Sequence, residues 1–406
     1  MSVEAARQFL VSHNIETPVM FFDENEAQKT VSLISEHLKK ADIYYAVKSC
    51  YNTNLLKFFA SCGLGAEVMS ELEFDLAKTA KFKRIILNGL GRSEQCIMKA
   101  LQHKNTTIIV ASKRDLHIVK RYLAEHQRQK CRLGIRLRFD LQGADGSKNL
   151  YLEPLNKLGN YIDSDFYQEF MEYVCHQKRA LWDLVHMHFT INELNPSTYV
   201  NAMKFLQKHL TDIEQRFHIM PQRIDLGGGI EVFSQDQEQK FQTLFLTLAD
   251  QFSTMFPDQK LVLEPGRFLS ASSGYVIGKI VDIKQVKNKK WLITNIGTNV
   301  LIPNKNARYK LVYPQPSADG EYIGITDGIT SGSNNIVNEA YLNVDVHIGD
   351  DIIIGNAGAY TDVYSTFWGY APFTIGYIFK SGKIKITRSA ETIHQMYNLF
   401  FQINAR

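Results

Sequence analysis

Between residues 42 and 266, short apolar runs alternate with stretches in which apolar side chains return every three or four positions. The runs at 42–48, 65–69, 84–89, 107–111, 131–139, 181–189, 223–227 and 260–265 predict eight strands. The intervening stretches predict helices. One covers 24–40, with Val31, Ile34 and Leu38 on its apolar face and Asp23 placed to cap it, Glu26 following three residues later. Another covers 236–254, with Phe241, Leu244, Leu248 and Phe252 at helical spacing. Strands that alternate with helices pair in parallel. A (β/α)8 barrel of the TIM type closes such a sheet with eight strands, and that count favours it over an open doubly wound sheet. The Gly- and Asn-containing stretch 140–162 predicts a loop at the mouth of the barrel.

After residue 268 the pattern changes. Short β-branched runs at 274–284, 290–295, 320–326, 346–354 and 376–388 are punctuated by Gly349-Asp350 and Ser381-Gly382, and helical periodicity returns only near 390. These features predict a second, mostly-β domain. The segment 18–22 reads as one more strand, belonging to that domain or to the barrel. The division expected is a barrel over 26–268 and a β-domain formed by 1–25 and 269–406. A length of 406 residues agrees with two domains, and 45% hydrophobic residues supply both cores.

Charge narrows the function classes. The net charge is +4, with Lys and Arg spread along the chain and no aromatic–basic module, so no nucleic-acid partner is expected. Five cysteines at 50, 62, 96, 131 and 175 show no metal-ligand spacing and predict free thiols in a reducing compartment. The N-terminus lacks a basic and then apolar leader, and no run of about 18 apolar residues occurs, so neither secretion nor membrane insertion is expected. The cytoplasm is the expected location.

Several segments carry candidate chemistry. Lys48 ends the first predicted strand in Tyr44-Tyr45-Ala46-Val47-Lys48. Barrel enzymes place their chemistry at that end, and a desolvated amine there is a nucleophile. Elsewhere the same pattern is a lysine opening a loop. Asp225-Leu226-Gly227-Gly228-Gly229 follows the seventh strand, where backbone N–H groups without Cβ atoms can converge on a phosphate; a flexible turn looks alike. Glu264-Pro265-Gly266-Arg267 follows the eighth. There Arg267 can join an anion clamp and Glu264 can hold a pyridinium nitrogen, unless the two form a plain salt-bridged turn. His186 and His188 end the sixth strand on one face. One can stack on an aromatic cofactor, or both can be core histidines. No third ligand at convincing spacing accompanies them, so no metal is expected. In the β-domain, Tyr360 of Gly358-Ala359-Tyr360 offers a hydroxyl to a phosphate. Residues 365–370, including Phe367 and Trp368, can wall a pocket or fill a core.

Taken in order, Tyr-Ala-Val-Lys, His-x-His, Gly-Gly-Gly, Glu-Pro-Gly-Arg and Gly-Ala-Tyr resemble the fold-type III pyridoxal-phosphate decarboxylases of the ornithine, diaminopimelate and arginine group, over residues 18–373. Local matches at Glu67–Glu73, Asn156–Gly159 and Ser365–Phe367 extend the likeness. The resemblance implies an alanine-racemase-like barrel with pyridoxal 5'-phosphate as cofactor. Lys48 would carry it as a Schiff base, His188 would stack on its ring and Glu264 would face its nitrogen. Gly227, Gly228, Gly229, Gly266, Arg267 and Tyr360 would hold the phosphate, and Arg136 would sit near the ring. A homodimer with shared active sites is implied, the β-domain of one subunit completing the barrel mouth of the other. The reaction implied is decarboxylation of an α-amino acid.

Three departures from the family pattern matter. Thr190-Ile191 replaces a Gly-Ser pair, which alters one phosphate donor. The cysteine that protonates the carbanion falls at Asn335, and the acid that holds a distal amine falls at Ile336. An Arg-Pro-x-x-Tyr motif is also missing, with only Ile302-Pro303 and then Tyr309 in its region. An amide is no general acid, and an apolar side chain does not hold an ammonium. The substrate expected is therefore not free ornithine or lysine but an unusual amino acid or a conjugate, such as a siderophore or other secondary-metabolite intermediate. Asn335, Ile336, Phe367 and Trp368 are the candidate substrate residues. A racemase or epimerase, and a silent homologue that binds a protein partner, are the competing readings.

Overall fold

The computed structural model describes residues 2–138, 157–303, 306–329 and 334–401. It divides into two compact units, Val31–Phe268 and Met1–Thr30 with Leu269–Arg406. The division falls inside the helix Glu24–His37, which starts where Asp23 Oδ1 accepts the Asn25 N–H at 2.9 Å.

The first unit is a closed barrel of eight parallel strands: Asp42–Ala46, Gly65–Val68, Ile85–Leu87, Thr106–Val110, Cys131–Arg136, Ala180–His186, Arg223–Asp225 and Lys260–Leu263. Each coincides with an apolar run, and the barrel rather than an open sheet is formed because the last strand pairs with the first, Asp42 opposite Val262. The outer helices form where the periodicity places them. Glu238–Met255 buries Phe241, Leu244 and Leu248 completely. Tyr44, Ile86, Ile109, Leu184 and Val262, one from each of five strands, make a buried layer inside the barrel. Tyr44 fits because Gly65 beside it has no side chain; a Cβ there would lie 2.3 Å from the tyrosine ring.

The barrel also buries charge. Arg223 pairs with Asp183 and donates to Tyr44 Oη and Thr107 Oγ1 at 2.6 Å each. Arg92, 4% exposed, donates to Leu87 O at 3.1 Å, Ile109 O at 2.8 Å and Asp115 Oδ2 at 2.5 Å. Its two terminal nitrogens end on fixed acceptors, so the arginine ties the third and fourth strands to the helix Lys113–Glu125.

The second unit is a nine-stranded sheet. Val19–Asp23 lies inside it, antiparallel to Gly274–Val286 and parallel to Thr374–Ile378. The strand read at 18–22 therefore belongs to the β-unit. The run 376–388 forms two strands, Thr374–Ile378 and Ile384–Arg388, joined by a hairpin at Ser381-Gly382 in which Gly382 holds φ +83°. Lys310–Tyr313 and Val337–Leu342 are strands that the hydrophobic pattern does not reveal. Val337–Leu342 is the outermost strand of its sheet and buries only its two ends, so it lacks the alternation of a half-buried strand. Helix Ala390–Phe400 closes the described chain, capped by Ser389. None of the five cysteines forms a disulfide, and no helix among the described residues is long and apolar enough to cross a membrane. The expected mouth loop lies outside the described residues as far as 156.

Replacing Asp115 by Ala leaves the Arg92 charge buried without its carboxylate. Loss of one partner of a buried pair costs about 3–5 kcal/mol, to be read as a lowered urea midpoint. A change no larger than that of a surface substitution would show that Arg92 is satisfied by the two carbonyls alone.

Candidate active site

Lys48 lies in a single 3-10 turn, Val47–Ser49, directly after the first barrel strand. The turn is held from both sides. Ser49 Oγ donates to Ala46 O at 2.9 Å and is hydrogen-bonded with the Tyr45 hydroxyl at 2.8 Å. Gly266, from the loop after the eighth strand, packs so close that a Cβ on it would lie 3.0 Å from Ser49 Cβ. The lysine side chain is 30% exposed, and its Nζ donates to Glu67 Oε2 at 2.5 Å. Glu67 stands opposite Ala46 on the second strand. Burial pushes the Glu67 carboxyl up to about 7 against the pull of Lys48, and the nearby Glu264 charge adds to the rise. Glu73, fully buried, accepts from Tyr51 Oη at 2.7 Å and from the Met69 N–H at 2.8 Å, bracing the loops that follow both strands.

The inner wall continues the side-chain alternation of the barrel core. Leu184 is followed on the same face by His186 and His188, Val262 by Glu264, and Arg223 by Asp225. His186 Nε2 meets Glu264 Oε2 at 3.1 Å and Asn88 Nδ2 at 3.3 Å. The His186 and His188 rings lie 6.4 Å apart and within 22° of parallel. His188 Nδ1 accepts the Gly228 N–H at 3.2 Å. Desolvation, with the charges of Arg136 and Lys48 and the neighbouring His186, holds His188 well below the usual histidine range, so its ring is neutral. Burial pushes Glu264 up, but His186, Asp225 and Lys48 together bring it below the usual carboxylate range. The donor atoms of His186, His188 and Glu264 all lie within 4.8 Å of one another. A third polar partner does stand beside the histidine pair, then, and sequence spacing misses it because it arrives from a different strand. Its contacts are internal hydrogen bonds.

Between these walls the glycine run is pressed against both neighbours. A Cβ on Gly227 would lie 2.7 Å from Met187 O, one on Gly228 2.4 Å from Glu264 O, and one on Gly229 2.2 Å from Thr190 O. Gly227 and Gly229 also hold φ at +73° and +82°. Contact with the protein's own backbone therefore demands glycine here, a reason separate from phosphate access. Two of the three N–H groups are engaged inside the protein, Gly227 with Asp225 Oδ1 at 2.8 Å and Gly228 with His188. Thr190 donates to Gly228 O at 3.0 Å, so the residue that departs from the family pattern braces the loop. Arg267 Nη1 donates to Asn192 Oδ1 at 2.7 Å, linking the eighth-strand loop to the sixth.

Lys48, His188, Gly227, Gly228, Gly229, Glu264, Gly266 and Arg267 thus gather at one end of the barrel. Arg136 ends the fifth strand opposite His186. The β-domain candidates are placed differently. Tyr360 holds φ +56°, rare for an aromatic residue, with its ring 6.1 Å from Tyr364. Asn335 donates to Asn338 Oδ1 at 3.0 Å on the surface. Ile336 is 5% exposed, with its N–H on Ile325 O, so its side chain packs within the β-unit. Phe367 packs against Tyr397, Phe400 and Phe401 at 5.7–5.8 Å, and Trp368 is 58% exposed. Gly332 and Ser333 lie outside the described residues. Sequence reasoning assigned no role to Glu67, Asp225 or Asn192. The available signal for the first two was a carboxylate at the end of an apolar strand; Asn192 had none.

An amine, buried carboxylates, a neutral imidazole and a glycine-rich anion loop at the C-terminal end of an eight-stranded barrel are the make-up of a pyridoxal-phosphate enzyme. The chain belongs to the pyridoxal-dependent decarboxylase family, whose pyridoxal-binding domain matches residues 24–271. It is 25% identical to diaminopimelate decarboxylase of Aquifex aeolicus, covering 92% of this chain and 89% of that one. It is 24% identical to L-glutamyl-[BtrI acyl-carrier protein] decarboxylase of Niallia circulans, covering 97% and 95%. Among solved structures, diaminopimelate decarboxylase of M. jannaschii superposes with TM-score 0.82 at 20% identity, over 98% of this chain and 94% of that one, a likeness of fold. The protein is a pyridoxal-phosphate-dependent amino-acid decarboxylase.

The residues present fit that cofactor. Glu264 Oε1 is buried, receives no N–H or hydroxyl donor among the described residues and can accept from a protonated ring nitrogen, and the Lys48 amine stands beside a carboxyl able to take its proton. Gly228→Ala, which drives a Cβ into Glu264 O, is expected to weaken cofactor affinity at least about tenfold, or 1.4 kcal/mol, with the circular dichroism of the fold retained. Glu67 adds a pH effect. Between pH 4.5 and about 7 its folded carboxyl keeps a proton that the unfolded chain has released, so the stability it contributes falls as pH rises through that window and is level above it. Glu67→Gln should flatten that part of the melting-temperature profile of the cofactor-free protein; an unchanged slope would place the Glu67 pKa outside it.

Proposed function

We propose that the enzyme removes the α-carboxylate of an amino acid carried as part of a larger conjugate. The observation that carries this reading is the absence of an acidic side chain at Asn335 and Ile336, where a free diamino acid needs a partner for its distal ammonium. The relative that acts, by its name, on a glutamyl group attached to an acyl-carrier protein supports it. A secondary-metabolite setting follows from the same reasoning.

Lys48 holds the cofactor covalently in this reading, His188 lies against its ring and Glu264 faces its nitrogen. The glycine loop with Gly266, Arg267 and Tyr360 takes the phosphate, and Arg136 fixes the ring edge. When bound, the cofactor supplies an electron sink for the carbanion left by carbon dioxide. The neutral His188 ring adds no positive charge of its own to that face. With Asn335 unable to donate, the Lys48 ammonium, paired with Glu67, returns the proton to Cα. The chain acts as a homodimer in which Tyr364, Phe367 and Trp368 of the β-unit, all at least partly exposed, complete the entrance.

The test is carbon dioxide release from free amino acids and from aminoacyl conjugates, including carrier-tethered ones. Turnover of a conjugate at least about tenfold faster than of ornithine, lysine or diaminopimelate supports the reading, the distinction resting on binding energy outside the reacting centre. Brisk turnover of free ornithine overturns it, and an inverted amino acid without carbon dioxide favours racemisation. Lys48→Ala should lose both the visible absorbance of the bound cofactor and turnover.

A further inference from the structure

The acid on the seventh strand has no part in the mechanism described so far. Asp225 is fully buried and Glu264 is 3% exposed. They end adjacent parallel strands, with Asp225 opposite Val262 and the Glu264 N–H on Gly227 O at 2.8 Å. One oxygen of each carboxyl is engaged, Asp225 Oδ1 by the Gly227 N–H at 2.8 Å and Glu264 Oε2 by His186 Nε2 at 3.1 Å. The other oxygens, Asp225 Oδ2 and Glu264 Oε1, are buried and have no donor from any other group among the described residues. The two side chains lie within hydrogen-bonding reach of each other. Two bare carboxylates in that position repel in a medium that screens poorly, whereas one proton between them turns the contact into a hydrogen bond.

We propose that Asp225 carries this proton and donates it from Oδ2 to Glu264 Oε1, making Asp225 the positioning residue that holds Glu264 as an anion aimed at the cofactor ring. The assignment follows from the partners. Glu264 has His186 and, farther off, the Lys48 charge to stabilise its negative form, while Asp225 has one backbone N–H. Burial first, then the Glu264 and Glu67 charges, push Asp225 well above the usual carboxylate range, and only the Gly227 N–H opposes them. The charged or titratable groups around the pair are Lys48, Glu67, Arg136, His186 and His188. Of these, Glu67 is the other carboxyl that can hold a proton near neutrality. With Asp225 neutral, the pair presents one negative charge to the ring nitrogen, and Glu264 Oε1 keeps a second lone pair for it. The direction toward the ring rests on the proposed role of Glu264; the place of the proton does not.

Infrared spectroscopy of the full-length protein, with and without pyridoxal phosphate, tests the proposal. A carbonyl-stretch band of a protonated carboxyl, shifted by deuterium oxide, is expected at neutral pH in the cofactor-free protein. It should survive Glu67→Gln and, in that background, vanish on Asp225→Asn. No such band, or one that survives Asp225→Asn and vanishes in Glu264→Gln, overturns the proposal. A second arm measures cofactor affinity from visible absorbance. Asn at 225 can still donate to Glu264, so Asp225→Asn should stay within about twofold of the parent, whereas Asp225→Ala should weaken binding about tenfold. Equal losses in Asn and Ala overturn the positioning role. Failure of the parent protein to bind pyridoxal phosphate would sink the functional reading of Glu264, while the infrared band would still report where the proton lies.

Discussion

Backbone-to-backbone contact at Gly227, Gly228 and Gly229 ties three strand ends of the barrel together. Each glycine lies where a single added carbon would meet a carbonyl oxygen of the sixth- or eighth-strand exit. That closeness lets the Gly228 N–H reach His188 and lets Gly227 O accept from Glu264. The loop is therefore a spacer of zero thickness: it fixes the distance between the imidazole wall and the carboxylate wall, and both depend on it. Thr190 braces the same loop, and the Arg267–Asn192 contact joins the sixth- and eighth-strand exits to each other. A site built this way is preorganised, because its polar groups owe their places to main-chain geometry and not to side-chain rotamers.

Charge balance is the second theme. Three carboxyl groups, Glu67, Asp225 and Glu264, converge with Lys48 and Arg136 in a region that water barely reaches. Such a set cannot ionise fully, and proteins resolve the conflict by moving protons instead of side chains. Here the carboxyls separate in character: Glu264 goes down because a histidine and a lysine favour its anion, while Glu67 and Asp225 go up because burial dominates them. Groups of one chemical type acquire different tasks from their surroundings alone. The same burial keeps the two histidines neutral, which spares the ring-binding face an extra positive charge.

The barrel was legible because each of its strands is an apolar run with a helix after it, a local signal repeated eight times. Lys48, Glu264 and the glycine run were legible for a related reason: they follow strands, and strand exits are where a barrel keeps its chemistry. Glu67 and Asp225 follow the same rule, yet each reads as one acid among 42 until pairing sets it beside a partner far away in sequence. The His186–Glu264 contact spans 78 residues, which no spacing rule covers. In the β-unit the limit was different. Lys310–Tyr313 and Val337–Leu342 bury too few side chains to print an alternation, and the burial of Ile336 comes from neighbours distant in sequence.

The placement of Val19–Asp23 bears on the order in which the molecule can be made. This strand is made before its two hydrogen-bonding partners, which begin at residues 274 and 374. Its pairing closes far longer loops than those between successive barrel strands. Contacts of short loop length form sooner than contacts of long loop length, so chain order and loop entropy both favour the barrel before the β-unit.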